Sequence, residues 1–394
     1  MPLFDPTTPF APQFSADPYR SATLPGFWYY DPAIFAAERE AIFYKSWQFA
    51  GYQADLKEPG AYITAEILDQ KVFVIRAKDG ALLAFHNVCM HRGHTLLEGK
   101  GEKTIITCPF HAWSYDTHGA LKAAGNAENV RGFRHEDFSL TPVQVETFLH
   151  MVFVNLDPKA PSLASQAGAF ERYVREHIPR FDELKFARRD PIPIASNWKF
   201  VFDGLECYHC PVIHPEAVKA ADYDKRQQWS EGIYSIHFTP PRAGIAKEDH
   251  LFGFRAESGD LPVSYVLYLW PNNMFMARRG EPNFAFAHVM PTGLETTIVN
   301  IDHFYLSSPP KPENVRTMDA ARDVIWPQDT RAMALQQLGV HARGYRQGRL
   351  MVDKAHTYRS EHTTHHFDKM VWDAVTGAMP DAARMPSERY RAAE

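Results

Sequence analysis

The sequence has few cysteines, no long apolar run and no large excess of either charge. Its four cysteines, in a chain of 394 residues, are too few for a disulfide framework. No apolar stretch reaches the roughly 18 to 20 residues that a membrane-spanning helix needs, and the first residues lack the basic and apolar segments of a signal peptide. A net charge of −5 gives no indication of binding to nucleic acid or to an anionic membrane. We therefore expect a cytoplasmic protein that binds neither.

The first part of the chain changes character near residue 47. Residues 1–47 combine a proline-rich arm with an amphipathic helix predicted from Pro32 to Trp47. Residues 48–157 consist of short apolar runs separated by turn signals, such as Asp79-Gly80. We predict a small antiparallel β domain there, closed by a strand from Phe148 to Asn155.

Residues 158–394 form the predicted second domain. Small polar residues and prolines in 157–170 predict a linker before it. Helical and strand-like stretches then alternate, which is typical of an α+β domain with an antiparallel sheet flanked by helices. The predicted elements are strands at Tyr265–Trp270, Asn283–Val289 and Thr296–Leu306, and a helix at Pro327–Leu338.

The first motif that carries chemistry lies in the β domain. Cys89 and His91 form a C-x-H pair, and Cys108 and His111 form a C-x-x-H pair sixteen residues after His91. Two cysteines and two histidines can hold a [2Fe–2S] cluster in which imidazoles replace two thiolates on one iron. Structural zinc is the alternative, because a Cys₂His₂ set also satisfies zinc. Zinc fingers pair like with like, whereas each half here has one cysteine and one histidine, which favours the cluster. With Arg92-Gly93 and Ala112-Trp113-Ser114 following the two pairs, this segment resembles the Rieske family.

A second motif lies about a hundred residues downstream. Glu206 and His209 are three residues apart and would share one face of a helix, and His214 follows before a proline. Two imidazoles and one carboxylate can hold Fe(II) with open positions for oxygen and substrate. Two alternatives remain at this point. Cys207 and Cys210 could form a redox dithiol, which the absence of a βαβ pattern disfavours, or they could bind zinc together with the histidines.

The sequence around these residues is similar to the catalytic domain of Rieske non-haem iron oxygenases. Asn197-Trp198-Lys199 is followed by E-C-Y-H-C-P-x-x-H-P from Glu206, and the resemblance extends from about residue 24 to about residue 367. It implies a helix-grip catalytic domain of the START type, with His209 and His214 as iron ligands. It also implies that Glu206 links a cluster histidine of one subunit to an iron ligand of its neighbour. Asp203 stands where related sequences usually carry asparagine, so the resemblance leaves its role open.

The third iron ligand comes from the same resemblance. The segment from Val324 to Asp329, with Gln337 and Gly339 following, resembles the family pattern E-D-x₄-E-x₂-Q-x-G. Asp329 then takes the ligand position, although Gln328 replaces the first glutamate and Ala334 the second. Asp319 and Asp323 are the rival carboxylates, and Asp329 could instead be a favourable first-turn acid of a helix.

The resemblance also suggests the reaction and its partners. It implies a terminal oxygenase that uses O₂ and electrons from a separate NAD(P)H-dependent flavin and iron–sulfur reductase, assembled as a head-to-tail homotrimer. The similarity is strongest to glycine-betaine, proline-betaine and carnitine oxygenases. An aromatic cage would suit such a quaternary ammonium substrate, and Arg278 or Arg279 could hold a carboxylate. The candidate cage residues are Tyr265, Tyr268, Trp270, Phe275, Phe284 and Phe286. The alternatives are an oxygenase for aromatic acids and, from another class, a non-catalytic iron–sulfur electron carrier.

Overall fold

The computed structural model describes residues 13–244 and 260–379. The chain divides into two compact units. One unit, Arg39–Arg172, contains the first motif, and we call it the cluster unit. The other unit joins Met1–Glu38 to Tyr173–Glu394; it contains the second motif, and we call it the catalytic unit. The start of the predicted arm, residues 1–12, lies outside the described residues.

The cluster unit is built from antiparallel strands, as predicted. Strands β1, β10, β9, β4, β3, β2 and β5 pair in that order into one sheet, and β6, β7 and β8 form a second, smaller sheet. The predicted Asp79-Gly80 hairpin joins β3 to β4. The predicted strand from Phe148 to Asn155 is instead a hairpin, because Leu149 and His150 turn the chain with positive φ. The strands are β1 Gln48–Tyr52, β2 Ala61–Ile67, β3 Gln70–Arg76, β4 Leu82–His86, β5 Lys100–Glu102, β6 Ile105–Thr107, β7 Ser114–Asp116, β8 Leu121–Ala123, β9 Pro142–Phe148 and β10 Met151–Asn155.

The catalytic unit is organised around one strongly paired antiparallel sheet. Within its described residues the strand order is β11, β17, β16, β15, β14, β13 and β12, and the three strands predicted from the sequence all belong to it. Side chains alternate between the two faces of such a sheet, so the register decides which of them face the second motif. The strands are β11 Lys185–Ile194, β12 Gln227–Glu231, β13 Tyr234–Thr239, β14 Ser264–Leu269, β15 Asn273–Ala277, β16 Asn283–Gly293 and β17 Thr296–Tyr305.

Helices cover the sheet, and the second motif lies in the turns between the short helices α3, α4 and α5. Glu206 and His209 were predicted to share one face of a helix, but they lie in a turn, because Cys207 between them has a positive φ. The predicted helix at Pro327–Leu338 is confirmed as α7, and the predicted amphipathic helix begins at Pro32 but changes to a π-helical turn at Arg39–Phe43. The predicted linker 157–170 is only partly irregular, because Leu163 begins a 15-residue helix. The helices are α1 Pro32–Glu38, α2 Leu163–His177, α3 Phe200–Asp203, α4 Cys210–Ile213, α5 Pro215–Val218, α6 Pro312–Ala320, α7 Trp326–Val340 and α8 His362–Ala378. Among the described residues, no helix combines the length and hydrophobicity needed to cross a membrane.

Two metal centres and a cavity

The two halves of the first motif adopt the same local structure. Cys89 N donates to His94 O at 2.8 Å, and Gly93 N donates to Cys89 O at 3.0 Å. The second loop repeats this pattern, since Ala112 N donates to Cys108 O at 3.1 Å. Each loop closes through a residue with positive φ, +75° at Gly93 and +58° at Ala112, a conformation that glycine adopts without a steric penalty.

Burial separates the four candidate ligands into two kinds. Cys89 and Cys108 are buried and not bonded to each other, whereas His91 and His111 are exposed, with ring centroids 4.7 Å apart. Burial raises the pKa of the Cys89 thiol, so bound iron would be needed to keep it as a thiolate. Two inner sulfurs and two outer imidazoles fit a [2Fe–2S] cluster that is ligated by histidine on its exposed iron.

Hydrogen bonds fix the first cluster loop from both sides. The side chain of Asn87 accepts from the backbone N–H groups of Leu96 and Leu97 at 3.1 and 3.0 Å. The Tyr115 hydroxyl accepts from Met90 N at 3.0 Å and lies 3.4 Å from Cys89 Sγ. Because that hydroxyl accepts one bond from the backbone, its own hydrogen is available to the sulfur, and such bonds raise the reduction potential of a cluster.

The three residues proposed as iron ligands converge in the catalytic unit. His214 Nε2 lies 2.7 Å from Asp329 Oδ1, and His209 Nε2 lies 3.9 Å from the same oxygen. Two nitrogens and one carboxylate oxygen that meet at one point fit the facial set that holds non-haem Fe(II). The rival carboxylates are engaged elsewhere, since Asp319 pairs with Arg188 at 2.7 Å and Asp323 with Arg322 at 2.6 Å.

Both histidines are oriented through their other ring nitrogen. His209 Nδ1 lies 3.1 Å from Glu206 Oε1, and His214 Nδ1 lies 2.6 Å from Gln328 Oε1. An acceptor at Nδ1 fixes the proton there and leaves Nε2 free to bind a metal. The sequence indicated Glu206 but missed Gln328. The available signal was its position directly before Asp329 in the first turn of α7.

Trp198 and Lys199 both contact Glu38, which lies in the N-terminal segment of the catalytic unit. Lys199 Nζ lies 2.5 Å from Glu38 Oε1, and Trp198 Nε1 donates to Glu38 Oε2 at 2.9 Å. Both side chains of the Lys199–Glu38 pair are fully buried. Asn197 completes the motif by donating from its side chain to Leu294 O at 2.8 Å. These contacts fix the start of helix α3, which directly precedes the segment that contains Glu206, His209 and His214.

Cys207 and Cys210 form a disulfide that brackets His209, with Cα atoms 5.1 Å apart. The sequence disfavoured such a pairing because it lacks a βαβ pattern, but the left-handed turn at Cys207, with φ +56°, brings the two residues together locally. Cys210 Sγ lies 3.8 Å from His209 Nε2 and could join both histidines on a metal only as a thiolate. In the bonded state the thiolate is absent, and Asp329 is the carboxylate that lies nearest both histidines.

A cavity of about 250 Å³ reaches the three residues proposed as iron ligands from the side of the sheet. Its sheet wall consists of Ser264, Val266, Met274 and Met276, with Arg278 at the end. Opposite the sheet, Tyr223, Ile325, Trp326 and Met333 close the cavity. The cavity is therefore mainly apolar, with the rings of Tyr223 and Trp326 and three guanidinium groups, those of Arg226, Arg278 and Arg279, among its lining groups.

The predicted aromatic cage does not line this cavity, although both predicted arginines, Arg278 and Arg279, do. Phe275 pairs in register with Phe286 and lies between the cavity residues Met274 and Met276, so its ring points to the opposite face of the sheet. Phe284 stacks on Phe275 there, with centroids 5.6 Å apart. Tyr265 lies on the same opposite face, next to Tyr173, His177 and Phe238. Tyr268 and Trp270 point to the cavity side but pack against Phe367 of α8.

Comparisons with known proteins agree with both centres. Residues 181–377 match the family described as Ring hydroxylating alpha subunit (catalytic domain), and residues 46–134 match the Rieske [2Fe-2S] domain. Fold and centres thus define an oxygenase with a Rieske cluster and a mononuclear iron. The chain belongs to the Rieske non-haem iron oxygenases, as a terminal oxygenase subunit. The predicted fold class, cofactors and enzyme class are confirmed, and the zinc and electron-carrier alternatives are wrong.

Similar proteins act on quaternary ammonium compounds. The carnitine monooxygenase oxygenase subunit of Escherichia coli (strain K12) is 34% identical over 91% of this chain and 95% of its own length. Choline monooxygenase, chloroplastic, of Spinacia oleracea is 28% identical over 92% of this chain and 79% of its own. The structure of a quaternary ammonium Rieske monooxygenase with L-carnitine matches with a TM-score of 0.80 and 30% identity, over 92% and 98% of the two chains. Naphthalene 1,2-dioxygenase from Rhodococcus sp. shares the fold at 16% identity, with a TM-score of 0.75 over 90% and 94% of the chains.

Proposed function

We propose that this chain is the oxygenase component of a monooxygenase that hydroxylates a zwitterionic quaternary ammonium compound, of the betaine or carnitine type, after which a C–N bond breaks. The observation that carries the proposal is the apolar cavity that ends at His209, His214 and Asp329 and has an arginine in its wall. The similarity to carnitine, choline and glycine betaine monooxygenases supports it.

Tyr223 and Trp326 are the rings that we propose for the ammonium group, in place of the cage predicted from the sequence. Both line the cavity, and a desolvated cation over such a ring gains about 0.5 to 2 kcal/mol. Arg278 would bind the carboxylate at the other end. Burial lowers the pKa of the Arg278 guanidinium, so an anionic group in the cavity would stabilise its charge.

The protein's own groups have distinct tasks in this reaction. When bound, the cluster supplies electrons one at a time and the mononuclear iron activates dioxygen. Glu206 and Gln328 hold the iron-ligand histidines in the tautomer that binds metal. The methionines and valine of the sheet wall exclude water from the reacting carbon.

The quaternary structure forms part of the proposal. We expect a head-to-tail homotrimer in which Glu206 connects His209 to a cluster histidine of the neighbouring subunit. Glu206 is buried, and its two carboxylate oxygens lie 3.1 Å from His209 Nδ1 and 3.4 Å from Thr364 Oγ1. A mixing experiment tests the arrangement. Subunits with Cys89→Ser and subunits with His209→Ala are each inactive, but refolded or coexpressed mixtures recover activity if electrons cross between neighbours. No recovery in verified mixed oligomers would contradict it.

Oxygen uptake on a substrate panel tests the reaction. The reconstituted enzyme with a reductase is given L-carnitine, glycine betaine, choline and a set of benzoates. We expect uptake with the quaternary ammonium compounds, together with formaldehyde or trimethylamine, and none with the benzoates. Uptake with benzoates alone would show that the substrate class is wrong. His209→Ala should abolish turnover and leave the visible spectrum of the cluster unchanged.

Arg278→Leu tests whether this arginine binds the carboxylate end of the substrate. Loss of a charge-assisted hydrogen bond costs about 1.5 to 3 kcal/mol, so KM for carnitine should rise roughly 10- to 100-fold. KM for choline, which has no carboxylate, should change much less. Tyr223→Leu should weaken the binding of both carnitine and choline. Arg331→Leu is the control, because that arginine is exposed on α7 and lies outside the cavity.

A further inference from the structure

A second cavity, of about 520 Å³, reaches the iron centre from another side. It shares His209 and Asp329 with the substrate cavity, but its lining is much more acidic. The carboxylates that line it are Asp203, Glu206, Asp329, Glu361 and Asp368. The substrate cavity has, among its described lining, only Asp329 as a carboxylate. Acidic groups therefore approach the iron from the side away from the sheet wall.

Two of these carboxylates have a buried oxygen without a hydrogen-bond partner in the described structure. They are Asp203 Oδ1 and Asp368 Oδ1. The other oxygen of Asp203 accepts from the Tyr29 hydroxyl at 3.2 Å, and the Asp368 side chain is about 1% exposed. A buried carboxylate with an unsatisfied oxygen is costly when ionised, and a proton removes most of that cost.

The surrounding charges favour protonation rather than a salt bridge. Lys199 is the buried cation next to both aspartates, but its charge is already balanced by Glu38 at 2.5 Å. Glu206 and Glu361 add negative charge, and Tyr29 and Tyr345 are the other titratable groups that face the pair. Burial raises the pKa of Asp203 to about 7. Burial also raises the pKa of Asp368 well above its usual value.

We propose that Asp203 and Asp368 hold protons and supply them through this cavity to the reaction site at His209, His214 and Asp329. The inference rests on the proposed monooxygenase reaction, RH + O₂ + 2e⁻ + 2H⁺ → ROH + H₂O, in which the reductase supplies both electrons and solvent ultimately supplies both protons. Glu361 and Thr364 line the same cavity. This assigns a role to Asp203 that the sequence left open, and it keeps proton entry apart from the apolar substrate cavity.

Infrared spectroscopy of the metal-free protein tests the protonation independently of turnover. We expect a carboxylic acid C=O band at pH 7 that shifts in D₂O and includes a step with a midpoint near pH 7. That step should be absent in Asp203→Asn and persist in Asp368→Asn, which should instead lose a separate carboxylic acid contribution. Asp31→Asn is the control, because Asp31 is also buried but lies outside the cavity. A spectrum without protonated carboxyls at pH 7, or one unchanged in both variants, overturns the proposal.

A single turnover of the reduced, iron-loaded enzyme tests the supply of protons. General acids typically contribute 10²- to 10⁴-fold, so Asp203→Asn should lower the rate of product formation at least tenfold and release more peroxide. Iron content and cluster spectrum should match the unaltered enzyme. Equal rates and product yields in Asp203→Asn across the pH range would overturn the proposal. An unaltered enzyme that fails to oxidise any betaine would instead refute the proposed function, and the infrared result would still stand.

Discussion

Replacing Glu38 with glutamine removes the anion that balances the buried Lys199. Both side chains are fully buried and 2.5 Å apart, and Trp198 also donates to Glu38. Removing one partner of a buried ion pair costs about 3 to 5 kcal/mol, because the remaining charge stays uncompensated. That is a large part of the roughly 5 to 15 kcal/mol by which a folded protein is stable. We therefore expect Glu38→Gln to lower the unfolding midpoint of the catalytic unit sharply.

Urea denaturation followed by tryptophan fluorescence measures this loss. Only Trp47 and Trp113 of the eight tryptophans lie in the cluster unit, so the signal reports mainly on the catalytic unit. The double variant with Lys199→Met should recover at least about 2 kcal/mol of the summed losses, because it leaves no unpaired charge. Glu216→Gln is the control, since that glutamate pairs with Lys219 on the surface and should cost less than about 1 kcal/mol. A loss below about 1 kcal/mol for Glu38→Gln, or simple additivity in the double variant, would refute the reasoning.

Three further predictions concern single groups. Gln328→Leu should weaken iron binding roughly 10- to 100-fold, because the Nδ1 proton of His214 loses its acceptor; Gln328→Glu should retain binding, and titration against a chelator measures both. Tyr115→Phe should lower the cluster potential by roughly 40 mV in spectroelectrochemistry, since the lost hydrogen bond to the Cys89 sulfur contributes about 1 kcal/mol. The folded-state pKa of Asp203 is raised from 3.8 to about 7, so the stability that this carboxyl contributes is fully present below about pH 4 and is lost, by at most about 4 kcal/mol, as pH rises through 7. Urea midpoints of Asp203→Asn should show a flatter slope over that range, and an unchanged slope would contradict the shift.

The metal motifs were predictable because their geometry is local. Cys89 and His91, like His209 and His214, lie close enough in sequence for one loop or turn to bring them together. Asp329 was identified only through the family pattern, because 115 residues separate it from His214. Glu38 and Gln328 were missed for the same reason, since their partners lie far along the chain and only the tertiary fold makes the pairing visible.

The predicted cage residues lie outside the cavity, and strand alternation explains the position of Phe275 among them. Phe275 and Arg278 differ by three positions, so an extended strand that directs Arg278 into the cavity turns Phe275 away. Residue type alone does not show which face of a strand a side chain occupies, so the predicted cage combined residues from both faces of the sheet. The prediction of a linker at 157–170 was wrong from Leu163 onwards for another reason. Its small polar residues are compatible with a helix that begins at Leu163 and buries Leu163, Ala167 and Phe170 at helical spacing.

Because Glu38 precedes the cluster unit in the chain, the catalytic unit is discontinuous in sequence. During synthesis, the ribosome makes the glutamate first, then all of Arg39–Arg172, and only afterwards the lysine that neutralises it. A polypeptide that starts after residue 38 would therefore carry every residue proposed as an iron ligand yet lack the counterion of Lys199. Adding the missing N-terminal segment as a separate peptide should partly restore its solubility and stability.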